Sequence, residues 1–340
     1  MFTKPRFDFG RAVLWTSEVI PIAGLWSGVL VFARIQFDLE WLQMPALPVG
    51  ILGTATSFYL GFKGSAAYDR LWEARKVWGG IVNTSRTWGM FTLTFVTDRH
   101  VKGETSASVE EIRRELVYRH VAWLAALRTQ LRRPKPWEHR ERWNDKARGS
   151  YHTLDQSDER LAARMEGFIS PTEIGAVMAQ KNRAAQLIRR QGERLTELLD
   201  EGRIEDFRHM ELARLLEEFY TLQGKCERIK NFPLPRQYAS ANHYFIQIFI
   251  AMLPFALIGA FSAQNLPNTY LWAVVPTTIV LAWVFWIWDR VLEYTENPFE
   301  GLVNDVPIDA MSRTIEIDLR EMLGETELPP STQAVDHILL

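Results

Sequence analysis

Two apolar runs near the C-terminal end limit the folds open to this chain more than any other feature. Tyr238 to Phe261 (YASANHYFIQIFIAMLPFALIGAF) and Tyr270 to Trp288 (YLWAVVPTTIVLAWVFWIW) are each long enough to cross the ~30 Å hydrocarbon core of a bilayer as a helix. The segment SAQNLPNT between them carries no charge, as expected of an external loop. Inside lipid every backbone polar group must be satisfied within the chain, which leaves helices or closed barrels. The runs are continuous rather than alternating, so they read as helices.

Two further runs lie at the other end. Ala12 to Ala33 (AVLWTSEVIPIAGLWSGVLVFA) follows Lys4, Arg6 and Arg11, and is too long for the apolar core of a secretory signal. It reads as a retained first span with a cytoplasmic N-terminus. Pro45 to Phe62 (PALPVGILGTATSFYLGF) is weaker in hydropathy and rich in Gly, Ser and Thr, which suits a helix facing protein or water. The basic residues Lys63, Arg70, Arg75 and Lys76 follow it, as at a cytoplasmic exit. Trp88 to Val96 is apolar but short and reads as a buried or interfacial piece. Trp283, Trp286 and Trp288 read as an interfacial belt, with Asp289 and Arg290 at the inner boundary. Four spans place both termini and the charged middle in the cytoplasm.

The charges concentrate between Asp98 and Arg236, and the pattern there is soluble and helical. Val109 to Leu131 has apolar positions near the helical period and ends before Pro134 and Pro136. Glu138 to Arg160 reads as a polar connection. Ser170-Pro171-Thr172-Glu173 has the form of a helix start, opening an apolar stripe from Ile174 to Leu198. A further helix runs from about Glu205 to Lys230, broken by Asn231, Pro233 and Pro235. The expected division is residues 1–100 with the first two spans, 101–236 as a cytosolic helical region, 237–290 with spans three and four, and a cytosolic 291–340.

Several function classes find no support. A net charge of −2 gives no general attraction to nucleic acid. The single Cys226 excludes an intramolecular disulfide framework and reads as a small buried residue. There is no phosphate-binding loop, no H-E-x-x-H and no G-x-S-x-G, and the seven His are scattered. No catalytic residue, metal site or cofactor is expected.

Span two carries the most information. Gly50, Thr54, Ser57, Gly61 and Gly64 recur at helical spacing and make a stripe of small residues where neighbouring helices can approach closely. Beside it Thr54, Phe58 and Phe62 follow one another at i, i+4 and i+8. Around an axis of identical helices they would form stacked rings, and apolar rings gate narrow water paths by dewetting. On periodicity alone, packing against helices or lipid is the simpler reading. Glu18 lies within the first span and reads either as an ion site or as a structural group paired with Arg11 or near the interface. Asp69, Arg70, Glu73, Arg75 and Lys76 alternate in sign, as a solvated face with internal ion pairs or a charged anteroom.

The run Gly61-Phe62-Lys63-Gly64-Ser65-Ala66-Ala67-Tyr68-Asp69-Arg70-Leu71-Trp72-Glu73-Ala74-Arg75-Lys76-Val77-Trp78-Gly79 resembles the helix that continues beyond the pore neck in bestrophins, bacterial ones especially. Cys226 to Pro235 (CERIKNFPLP) is similar to the approach to the family's third span, and Asn297-Pro298-Phe299 to the segment after its last one. The resemblance runs from about residue 5 to residue 320. It implies an all-α, four-span homopentamer in the inner membrane, conducting monovalent ions along one central path. By position it assigns neck rings to Thr54, Phe58 and Phe62, with the polar Thr54 departing from the family's apolar residue, and a cytosolic constriction near Met210. The family name points to chloride, while bacterial members also include cation conductors.

Animal bestrophins place a dense acidic calcium-ligating run after their Pro-Phe. Here Glu300, Asn304, Asp305 and Asp309 are a thin supply for an ion that takes six to eight oxygens. Calcium activation is not expected. Besides the channel, two readings stay open: a membrane-anchored scaffold whose cytosolic helices bind a protein partner, and a transporter. The latter rests on Pro21, Pro254 and Pro276 within spans but lacks internal repeats.

Overall fold

The computed structural model describes residues 1–101, 107–138, 157–264 and 267–340. Most of the expected polar connection after Glu138, and two residues of the expected external loop, lie outside them. Among the described residues the chain is all-helical, with no β-ladder.

A short helix α1 (Phe9–Trp15) precedes α2 (Val19–Phe37), so the first span is not the unbroken Ala12–Ala33 helix expected from hydropathy. The Thr16 hydroxyl turns back to the Ala12 carbonyl at 2.7 Å, and Glu18 is drawn to Arg290. Arg11 is therefore not the partner of Glu18.

The segments Pro45–Phe62 and Trp88–Val96 prove to be parts of one helix, α3 (Ala46–Phe95), of 50 residues. At 1.5 Å per residue it is about 75 Å long. It carries one buried stripe, Val49, Gly53, Thr56, Leu60, Lys63, Ala67, Ala74, Val77, Ile81, Ser85, Trp88 and Thr92, at spacings of three, four or seven. After Pro48 no proline interrupts it, so one packing face continues along its whole length.

The helices of the charged middle region follow the sequence reading closely. They are α4 (Val109–Arg132), α5 (Asp158–Met165), α6 (Pro171–Met178), α7 (Arg183–Asp200) and α8 (Asp206–Asn231). A capping box starts α4, with the Ser108 hydroxyl accepting from the Glu111 N–H at 3.2 Å and the Glu111 carboxylate from the Ser108 N–H at 2.8 Å. Ser170 caps α6 with Pro171 in its first turn, as expected. The stripe from Ile174 to Leu198 is shared by two helices, because Asn182 caps a fresh start at α7. The expected polar connection also holds α5 near its end.

Then come α9 (Arg236–Ser262), a 3-10 turn over Asn268–Ala273, α10 (Val274–Glu293) and α11 (Ile308–Met322). Among the described residues three stretches are long and apolar enough to cross a membrane: Val19–Phe37, Arg236–Ser262 and Asn268–Glu293. Helix α3 is not among them. In the apolar end of the molecule α2 packs on α10, and α9 on α3 and α10. The other end holds a large core in which Trp78 and Trp88 of α3 meet Trp123 of α4, Phe219 and Cys226 of α8, and Leu319 of α11. Burial pushes the Cys226 thiol pKa up, in line with an inert core residue.

Candidate functional site: a two-faced helix and its buried tether

Opposite its buried stripe, α3 exposes Thr54, Phe58, Phe62, Ser65, Asp69, Trp72 and Lys76. Phe58 is 68% exposed and Phe62 65%, on a helix whose other side is fully packed. The three residues assigned to the neck therefore share one unpartnered face of the single chain. The Thr54 hydroxyl donates to the Gly50 carbonyl at 2.9 Å. That bond satisfies its polar group within the helix and leaves a methyl, which softens its departure from an apolar ring.

The small residues act differently from expectation within the chain. A Cβ added at Gly50 or Gly61 would meet nothing within 4 Å. Close approach occurs at Gly64 of the stripe, where a Cβ would lie 3.2 Å from Leu292 of α10, and more tightly at Gly53, where it would lie 2.7 Å from the Phe249 ring of α9. Ser57, Gly61 and Gly64 border an apolar groove of about 610 Å³ between α3 and α10. Met210 lies exposed on α8, which packs against α3. Phe207, 84% exposed one turn earlier, escaped the sequence reading because an isolated apolar residue at a helix start has no periodic signature.

The charges after the neck do not pair along their own helix. Glu73 pairs with Arg228 of α8, and Arg70 donates to the Ile229 carbonyl, near the negative end of that helix. Arg75 lies over the Trp72 ring at 5.7 Å. The pattern staples α3 to α8.

Lys63, the residue after Phe62, points the opposite way. It is 1% exposed and donates to Asp289 Oδ1 of α10 at 2.9 Å, and Asp289 is itself 2% exposed. Asn242 Nδ2 of α9 reaches the same oxygen at 2.8 Å, and His243 Nδ1 lies 3.0 Å from Oδ2. A buried charge is tolerated only with such partners. The sequence reading placed Lys63 in a basic exit and Asp289 at the membrane boundary, and the structure buries both. The phase of Val49, Gly53, Thr56 and Leu60 carries on to position 63 and was the available signal. Trp283 and Trp286 are not a simple belt either. They turn inward, donating to the Thr16 hydroxyl at 2.8 Å and to Glu18 Oε1 at 3.2 Å, while Trp288 stays exposed.

The acidic side chains after α10 pair with arginines of α4 and with their own segment. Arg132 of α4 reaches Asp309 at 3.2 Å, Asp305 at 3.5 Å and the Val306 carbonyl at 3.4 Å. Arg128 takes Asp309 at 3.2 Å, and Asn297 donates to Glu300 at 2.6 Å. Burial pushes the Asp305 carboxyl up to about 7 against the pull of Arg132.

The fold has solved counterparts. A bacterial bestrophin homolog from Klebsiella pneumoniae superposes with a TM-score of 0.73 at 22% identity, covering 90% of this chain and 98% of that one. A voltage-dependent anion channel-forming protein of Ralstonia nicotianae is 29% identical over the full length of both chains. A protein of the same description from Escherichia coli K12 is 28% identical over 97% of this chain and 96% of its own. The sequence pattern of bacterial and fungal bestrophin proteins matches residues 13–321, and the chain belongs to that family.

Proposed function

We propose that the chain forms a homopentameric ion channel in the inner membrane and passes small monovalent ions along one central path. The carrying observation is the two-faced α3, which packs one side completely and leaves Phe58 and Phe62 bare on the other. Five copies facing an axis would cover those rings with one another and with water, making a neck that dewets when narrow. Thr54 supplies the outer ring, and Met210 of α8 the cytosolic constriction. The first half of α3 is a fourth span, short of hydropathy because lipid is not its main neighbour. Both termini and the helical region 101–236 lie in the cytoplasm in this arrangement. The names of the Ralstonia and Escherichia relatives support ion conduction.

Planar-bilayer recording of purified pentamers, wild type beside Phe58→Ala and Phe62→Ala, tests the reading. Larger currents in the variants are expected. Well-folded pentamers without conductance, or identical currents in all three, would count against it. The reversal potential under a KCl gradient reads the sign of the permeant ion.

A further inference from the structure

The cluster behind the neck contains more than an ion pair. His243 on α9 and Asp289 and Glu293 on α10 each present a ligand atom, and these atoms all lie within 4.8 Å of one another. Asp289 and Glu293 stand four residues apart, on one face of their helix. His243 comes from the facing helix, so the set is held by two packed elements. We propose that His243, Asp289 and Glu293 bind a borderline divalent transition metal of the Zn²⁺ type.

The donor set decides the class of ion. One imidazole nitrogen with two carboxylates suits zinc, while calcium and magnesium favour all-oxygen sites. The spacing of His243 Nδ1 and Asp289 Oδ2, 3.0 Å, is near the separation of two donors on one tetrahedral ion. In the metal-free cluster a proton on Nδ1 bridges those two atoms. Metal at Nδ1 moves the ring proton to Nε2, where Gln247, 2.9 Å away, accepts it once its amide presents oxygen. The other carboxylate oxygen of Asp289 keeps its bonds to Lys63 and Asn242, so the supporting shell is already built.

Two further observations support the assignment. A polar cavity of about 190 Å³ adjoins the trio, lined by His243 and Glu293 with Lys63, Arg236, Ser240 and Glu296. It has room for waters to complete a coordination shell and for an ion to enter. The amide oxygen of Asn242, on the residue adjoining His243, is buried without a donor, so the cluster has acceptor capacity that its own hydrogen bonds leave unused. Lys63, Arg236 and Arg290 oppose a cation here, while Glu296 pairs with Arg236 and Glu18 shares Arg290 with Glu293.

The test is calorimetric titration of ZnCl2 into full-length, tag-free protein in nanodiscs, with MgCl2 and CaCl2 as controls. One zinc per chain is expected, with no uptake of the other two ions. His243→Gln and Glu293→Gln should each weaken zinc by roughly tenfold or more. Equal zinc affinity in wild type and both variants, or no zinc uptake by the wild type, would overturn the assignment. X-ray absorption of the zinc-loaded wild type gives a reading independent of variant folding. A shell of one imidazole with oxygens at about 2.0–2.2 Å is expected, and a shell of several imidazoles or of sulfur would contradict it. Both readouts measure binding, so they stand whether or not the protein conducts ions.

Discussion

Lys63 Nζ and Asp289 Oδ1 meet at 2.9 Å, both buried, one residue beyond Phe62 on the long helix. Removing one partner strands the other charge without water, which costs on the order of 3–5 kcal/mol. Lys63→Met and Asp289→Leu alone should therefore lower the melting temperature of the purified protein sharply. The double variant, in which no charge is stranded, should recover much of the loss. A double variant as unstable as the sum of the singles would show that the two residues contribute independently and that no stranded charge sets the cost.

Aromatic residues on α3 should separate by face. Trp78 is fully buried in the larger core, and Trp78→Ala should cost about 3–5 kcal/mol through the cavity it leaves. Phe58→Ala removes a side chain exposed in the single chain and should leave the fold of each subunit nearly unchanged. Thermal unfolding of both variants in detergent checks the contrast.

His120 of α4 is buried among Trp88, Trp123 and Phe219 and lies 2.9 Å from the Ser85 hydroxyl. Burial pushes its pKa down to about 3. The folded state holds it neutral while the unfolded chain takes up a proton below about 6.5. Between these values the unfolded state binds more protons, so stability rises with pH through the window, by on the order of 4 kcal/mol for full neutral burial. The melting temperature should fall as pH drops from 6.5 toward 4. His120→Gln, which does not titrate, should flatten that dependence.

Glycines offer a contrast at fixed chemistry. A Cβ at Gly259 of α9 would lie 2.3 Å from the Met44 carbonyl oxygen, a backbone atom, whereas one at Gly28 of α2 meets nothing within 4 Å. Gly259→Ala should destabilise by about 1–3 kcal/mol or reduce the yield of folded protein. Gly28→Ala should be neutral or slightly stabilising, since alanine is the better helix former. Parallel expression and melting measurements separate the two.

Local chemistry was legible in the sequence where it acts within a few residues. Ser170 before Pro171, and the prolines after Asn231, marked helix ends that the structure places within a residue or two. The exposed line Thr54, Phe58 and Phe62 followed from period and resemblance together. What escaped depends on distant partners. Lys63 and Asp289 are 226 residues apart, and nothing near either announces the other. The continuity of α3 was hidden because its middle is charged: hydropathy counts Arg70, Glu73 and Arg75 as the end of a span, while the helix runs on beneath them. Glu18 was weighed against Arg11 nearby, and it is Arg290, on a helix packed beside it, that takes the pair.

The length of α3 has a mechanical consequence. About 75 Å of unbroken helix behaves as a stiff rod, with Phe58 about a quarter of the way along and Trp88 clamped in the large tryptophan-lined core toward the far end. A rotation of a few degrees about its middle moves Phe58, about 19 Å from that point, by roughly 1 Å, and Trp88 in the opposite sense. That is comparable to the radius of a water molecule. Five such levers around an axis would convert a small displacement on the cytosolic side into a change of bore within the bilayer, with no hinge needed between them.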